Sequence, residues 1–371
     1  MPPPRRRPKF LLFLAAIPFL TLAGFWLFAF ATRQPLHPDP PAIPTTSLVA
    51  PPSQWTYAVN EARQIARATI SSENIPALSI AVAAQQDVVW TEAFGWADVA
   101  MNKAATPQTR FRLGTGSALL TAAGAGLLLE QGKLQASSLP KLQANADAPG
   151  AHVNKRCEKA SEALPLNIML PPWTLASAAM ESAANLPFHA YMDQRVFTPL
   201  SLTNTGAESS TEENPERIGE DAEDPPLFNL VRHLIFQPLG LAAPIPKSAA
   251  APATIYEPGV GHNALPRYNI HETPIRSLSC YSGAMTFYST PSDLVRLATA
   301  LRYGNFLQPS TVEALHIQRS LDDGIAGELQ GQQLAAILTD SQSGISVAIA
   351  ANANAGVSDL AHKIAKAFSK K

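Results

Sequence analysis

Apolar residues recur at three- and four-residue spacing through Trp55, Ala58, Val59, Ala62, Ile65, Ala66 and Ile70, which predicts an amphipathic helix at the start of a folded body. Two apolar stretches, 77–84 and 88–94, follow it and are joined by polar Gln85-Gln86-Asp87, the pattern of a β-hairpin. Near the other end, 334–338 and 345–350 joined by 339–344 predict a second hairpin, and the period over 357–368 predicts a closing amphipathic helix. The order α-β-β at one end and β-β-α at the other brings both hairpins into one antiparallel sheet with the terminal helices on one face. That is an α+β architecture, with a mostly helical subdomain between the two ends. Residues 121–130, 176–185, 188–197 and 291–301 supply its helices.

The first residues follow another pattern. Residues 1–9, MPPPRRRPK, carry Arg5, Arg6, Arg7 and Lys9, and 10–31 that follow are uncharged and almost wholly apolar. A run of that length at about 1.5 Å per residue matches a hydrocarbon layer of about 30 Å, so one N-terminal transmembrane helix, a signal anchor over 10–31, is expected. The arginine cluster places the N-terminus in the cytoplasm by the positive-inside rule. The main domain is then expected in the periplasm of a bacterial inner membrane, or outside; Ala29-Phe30-Ala31 also has the form of a cleavage site. Residues 32–53 hold seven prolines after Gln34 and are read as a stalk, leaving 54–371 as the folded domain. Within it, 207–226 carries eight acidic side chains and no apolar period, and is read as a flexible acidic insertion.

Composition narrows the function classes. The 28 basic and 29 acidic residues nearly cancel, so no global positive field exists to hold a nucleic acid. The two cysteines, Cys157 and Cys280, cannot build a thiolate metal site alone; in an oxidising compartment they could form one disulfide or remain two buried thiols. The histidines show no H-E-x-x-H or close pair, so neither a metal nor another cofactor is expected. No Gly-x-Ser-x-Gly elbow occurs either.

The stretch 75–134 contains Phe94-Gly95-Trp96-Ala97-Asp98, then Thr106-Pro107 before Thr109-Arg110-Phe111-Arg112, then a helix ending Glu130-Gln131-Gly132-Lys133-Leu134. With SGAMTFYSTPSDLVRLATAL at 282–301, it resembles the serine β-lactamase and penicillin-binding-protein-like family, closest to class C β-lactamases and their esterase and peptidase relatives. The resemblance implies a serine nucleophile with a lysine one helical turn on, so that hydroxyl and amine share one face of the helix. Aligned on the Arg112 segment, those positions hold Thr115-Gly116-Ser117-Ala118: threonine stands for serine, and alanine for lysine. The second motif, a Tyr-x-Asn or Ser-x-Asn, falls on Ile168-Met169-Leu170, and the third, Lys-Thr-Gly or His-Thr-Gly, on Ile325-Ala326-Gly327. In the third only the glycine remains.

A hydroxyl without an adjacent base is a poor nucleophile. The vestigial positions Thr115, Ala118, Ile168, Leu170, Ile325, Ala326 and Gly327 therefore imply a catalytically inactive relative, with Thr115, Ser117 and Gly327 as candidate binding residues. Its expected partner is a cell-wall fragment, another small ligand or a protein. The alternative is an active hydrolase, a β-lactamase, peptidase or esterase using Thr115 as a non-standard nucleophile.

Overall fold

The computed structural model describes residues 33–48, 50–142, 172–207, 252–259, 261–273, 278, 281–304 and 306–370, together with Gly24, Leu27 and Ala31. Its centre is an antiparallel sheet with strands in the order β1-β3-β2-β12-β11-β10. Two hairpins form most of it: β2 (Ala77–Ala84) with β3 (Asp87–Asp98), and β11 (Gln332–Asp340) with β12 (Ile345–Ala351). They join where β2 pairs β12, with Val82 opposite Val347 and Ile80 opposite Ile349. Edge strands β1 (Thr45–Ser47) and β10 (Ile325–Leu329) close the two sides, and β4 (Lys103–Ala104) adds to the end of β3.

Two helices cover one face, α1 (Thr56–Ser72) and, at the C-terminus, α8 (Val357–Ser369). Both are amphipathic in the way the sequence predicts. Val59, Ala62, Ala66 and Ile70 of α1 meet Leu360, Ile364 and Phe368 of α8 over Leu78, Ile80, Val347 and Ile349 of the sheet. Each large side chain so buried stabilises the fold by about 1.5–3 kcal/mol. One carboxylate lies within this layer: Glu92 of β3, 2% exposed. It accepts from Arg63 Nε at 2.9 Å, Arg63 Nη2 at 2.8 Å and Trp90 Nε1 at 2.8 Å, which compensates the cost of burying its charge.

The opposite face carries the helical region. Its elements are α2 (Ser117–Glu130), α3 (Pro172–Ala184), α4 (Phe188–Met192) running into one π turn over Asp193–Phe197, α5 (Pro291–Tyr303), α6 (Pro309–Ala314) and α7 (Ile317–Asp323). Helix α2 is buried almost all round, which its run of alanine, glycine and leucine permits: Gly124 and Gly126 let Met180, Met192 and Leu307 approach closely. A small sheet orders β5 (Phe111–Arg112), β9 (Phe287–Ser289) and β6 (Gly206–Ala207), and β7 (Tyr256–Pro258) pairs β8 (Ile270–Glu272).

Two expectations are revised. Among the described residues no helix is long and apolar enough to cross a membrane, because a span needs about 20 consecutive apolar residues and only Gly24, Leu27 and Ala31 of 10–31 are described. The fold class is corrected accordingly, to an α+β fold in which none of the described residues forms a membrane-crossing helix. The proline-rich stretch, read as a stalk, instead lies along the body. Gln34 N donates to Arg267 O and Leu36 N to Asn74 Oδ1, and Thr45–Ser47 pairs β3 as an edge strand, the sheet position that neighbouring prolines tolerate. His37 is buried there, 4% exposed, with Nε2 3.2 Å from Pro76 O. The acidic stretch beyond Ala207, together with Cys157, Cys280, Ile168 and Leu170, lies outside the described residues.

Candidate functional site

Where α2 begins, the chain makes one tight turn against an edge of the main sheet. Strand β5 delivers it: Phe111 pairs Ser289 and Arg112 pairs Tyr288, and Leu113 N then donates to Phe287 O at 3.0 Å. A 3₁₀ turn over Gly114–Gly116 follows and runs directly into α2. Gly114 has φ +51, and a Cβ there would lie 2.1 Å from Glu328 O. A Cβ on Gly327 would lie 2.2 Å from Leu113 O, and one on Gly116 would lie 3.3 Å from Gly327 Cα. Glycine is required at Gly114 and Gly327 because the turn and β10 meet backbone to backbone.

That contact brings together residues far apart in sequence. Thr115 Oγ1 accepts from Glu328 N at 2.9 Å and donates to Ala326 O at 3.4 Å. Ala326 and Glu328 are alternate residues of an edge strand, so their outward N–H and C=O are the groups a further strand would pair. One hydroxyl takes one donor and one acceptor of that row. A register shift between Gly327 and Glu328 marks a bulge at the same point, and bulges re-aim side chains beside functional sites.

The other predicted residues take supporting places. Ser117 is fully buried, and its Oγ accepts from Phe287 N at 3.2 Å. Ala118, one turn after Thr115, is 5% exposed and packs into the core among Leu119, Leu120 and Ala122. Ile325 is likewise a core residue, opposite Ile337. One turn further along α2, Thr121 Oγ1 donates to Gly283 O at 2.6 Å, tying the 281–285 turn to the helix. Thr115, Ser117, Ala326 and Gly327 are thus gathered into one place. Glu328, which sequence reasoning passed over, is there with them: its side chain is exposed. The signal that could have found it is its place directly after the one glycine kept from the third motif.

Chemically, the site offers a hydroxyl, a backbone N–H and a carboxylate. Among the described residues, both partners of the Thr115 hydroxyl are backbone atoms of β10. Its proton points to an amide carbonyl, which is not a base, whereas a nucleophilic hydroxyl needs a general base within hydrogen-bond reach. Tyr191, pushed up to about 12 by burial, donates to Gly124 O, and His189 is held below the usual imidazole range by burial.

The comparisons with known proteins agree with this architecture. Residues 62–140 match the Beta-lactamase family model. The D-amino acid amidase from Ochrobactrum anthropi SV3, in complex with D-phenylalanine, is similar at 15% identity and a TM-score of 0.53, over 84% of this chain and 99% of that one. EstCE1, a hydrolase with promiscuous acyltransferase activity, is similar at 15% identity and a TM-score of 0.52, over 84% and 98%. No curated protein matches the chain in sequence. The chain carries the fold of the serine β-lactamase and penicillin-binding-protein-like proteins.

Proposed function

We propose that this chain is a catalytically inactive relative of the serine β-lactamase-like hydrolases that uses the region around Thr115 to bind a small ligand, with a cell-wall fragment as the leading class and a protein partner as the alternative. One observation carries the reading: the hydroxyl at the nucleophile position contacts the backbone of β10 through its proton and one lone pair, and no base faces it among the described residues, while Ala118 stands where a base would be. Freeing that hydroxyl for attack would cost the 2.9 Å bond from Glu328 N, about 1 kcal/mol, together with the longer, weaker 3.4 Å contact to Ala326 O, and would still leave its proton without an acceptor base. The similar structures include an amidase in complex with D-phenylalanine, which supports a ligand of amino-acid or short-peptide size.

The test is covalent labelling of the full chain with a fluorescent penicillin and a fluorophosphonate, with Thr115→Ala alongside and both proteins shown to be folded by circular dichroism. The reading expects no label that depends on Thr115. Label present in the wild type and absent from Thr115→Ala would make Thr115 a working nucleophile and establish the hydrolase alternative.

A further inference from the structure

Residues 33–48 lie on the body as a strap with its own small set of bonds. Gln34 N donates to Arg267 O at 2.9 Å, Leu36 N to Asn74 Oδ1 at 2.7 Å, Ser71 Oγ to His37 O at 2.8 Å and Gly95 N to Pro44 O at 2.8 Å. Thr45, Thr46 and Ser47 then pair Phe94, Ala93 and Glu92 at the edge of β3. Ile43 is buried in the layer under α1, and Leu36 packs into a separate cluster with Val99, Tyr256 and Ile270. Beyond Ser47, Pro51 and Pro52 have no N–H with which to continue the pairing. The strap is thus attached to the sheet without being part of its β2–β12 centre.

An ionisable group sits in the middle of it. The His37 imidazole is 4% exposed, with Nε2 3.2 Å from Pro76 O, and a Cβ on Gly95 would lie 3.1 Å from the same nitrogen. Charged side chains on the surrounding elements have other partners. Arg67 of α1 donates to Thr45, Glu73 accepts from Gly356 N, and Glu92 of β3 is held by Arg63. Asp98 accepts from Met101 N and Thr254, and Arg267 donates to Gln34. Arg33 and Asp39, on the strap itself, are exposed, and Tyr256 and Tyr268 belong to the cluster around Leu36. Among the described residues the one hydrogen-bond partner of the imidazole is Pro76 O, so a proton taken up there meets no anion.

We propose that residues 33–48 form an acid-sensitive latch: a proton on His37 favours the state in which the strap has left the edge of β3, while the central sheet stays folded. Opening places the imidazolium in water and uncovers the outward N–H and C=O groups of Glu92–Phe94, an edge that a further strand can pair. Burial holds the His37 imidazole below its usual range, although the Pro76 carbonyl favours the charged form. Opening is therefore at its least above about pH 6.5 and increases as pH falls toward the lowered value of the closed strap.

Amide hydrogen exchange of the full chain at about pH 7.5 and about pH 5.5 tests this, with rates corrected for the pH dependence of chemical exchange. The amides of Leu36 and Gly95, which the strap bonds protect, should open more often at the lower pH, by up to about tenfold, while those of β2 and β12 change far less. His37→Gln keeps an N–H donor without ionising and should lose the acid increase. Asn74→Gly accommodates the φ of +53 and removes the bond to Leu36 N, so it should speed strap exchange at both pH values and preserve their ratio. Titration of the His37 ring by NMR in the full chain should give a midpoint below about 6.5. A midpoint at or above that value, equal acceleration of strap and core amides, strap amides unchanged at about pH 5.5, or an acid increase that survives in His37→Gln would each overturn the proposal.

Discussion

Glu92 and Glu328 lie on strands of the same sheet and belong to two differently built regions. Glu92 sits under α1, in a layer made by side chains interlocking between two amphipathic helices and the sheet, and its carboxylate is held by the Arg63 guanidinium and the Trp90 N–H. Glu328 sits on the opposite edge, where the chain is joined through glycine backbone and one threonine hydroxyl, and its carboxylate faces solvent. The first region holds the molecule together by buried area. The second is held by close approach, leaving polar groups at the surface where a ligand can meet them.

Substitutions should separate the two kinds of construction. Gly114→Ala should have the largest effect, about 4 kcal/mol in urea unfolding, because a β-carbon would sit 2.1 Å from Glu328 O on a residue with φ +51. A cost below about 1 kcal/mol would show that the turn and β10 can separate freely. Glu92→Ala should cost about 3 kcal/mol, at the lower end for a broken buried pair because Arg63 keeps 29% side-chain exposure. Arg63→Ala should be at least as damaging, since it leaves the buried carboxylate with only Trp90 Nε1 among these donors. Thr115→Ala should cost about 1 kcal/mol and Thr115→Ser less, as serine retains the hydroxyl.

The smallest effect belongs to the N-terminal segment. Burial lowers the pKa of His37, so the folded chain holds this imidazole neutral where the unfolded chain takes up a proton. Stability is therefore lost as pH falls below about 6.5 and on toward the lowered folded value. His37→Gln keeps an N–H donor for Pro76 O without ionising. Unfolding at about pH 7.5 and about pH 5.5 should show a shallower acid loss in the variant; equal slopes would remove His37 from the account.

The layer around Glu92 was legible in sequence because it is built from side chains, whose periods of 3.6 and 2 mark α1, α8 and the two hairpins. The neighbourhood of Thr115 and Gly327 was legible as well, since the Phe111-Arg112-Leu113-Gly114 approach and the C-terminal hairpin anchor both in register. What was not legible depends on backbone atoms: the bond from Glu328 N to Thr115 across more than 200 positions, the bulge beside it, and the place of Glu328 that follows from both. The seating of 34–48 escaped for the same reason. Proline content excludes a helix there, but it does not reveal that Thr45–Ser47 finds an open edge on β3.

The account turns on the hydroxyl of Thr115 being bonded into the edge of β10, and amide hydrogen exchange at Glu328 measures that contact directly. The Glu328 amide should be protected in the wild type and in Thr115→Ser, and should exchange markedly faster in Thr115→Ala while the amides of β2 and β12 stay unchanged. Equally fast exchange at Glu328 in the wild type and Thr115→Ala would mean that the hydroxyl is free, and would contradict the account.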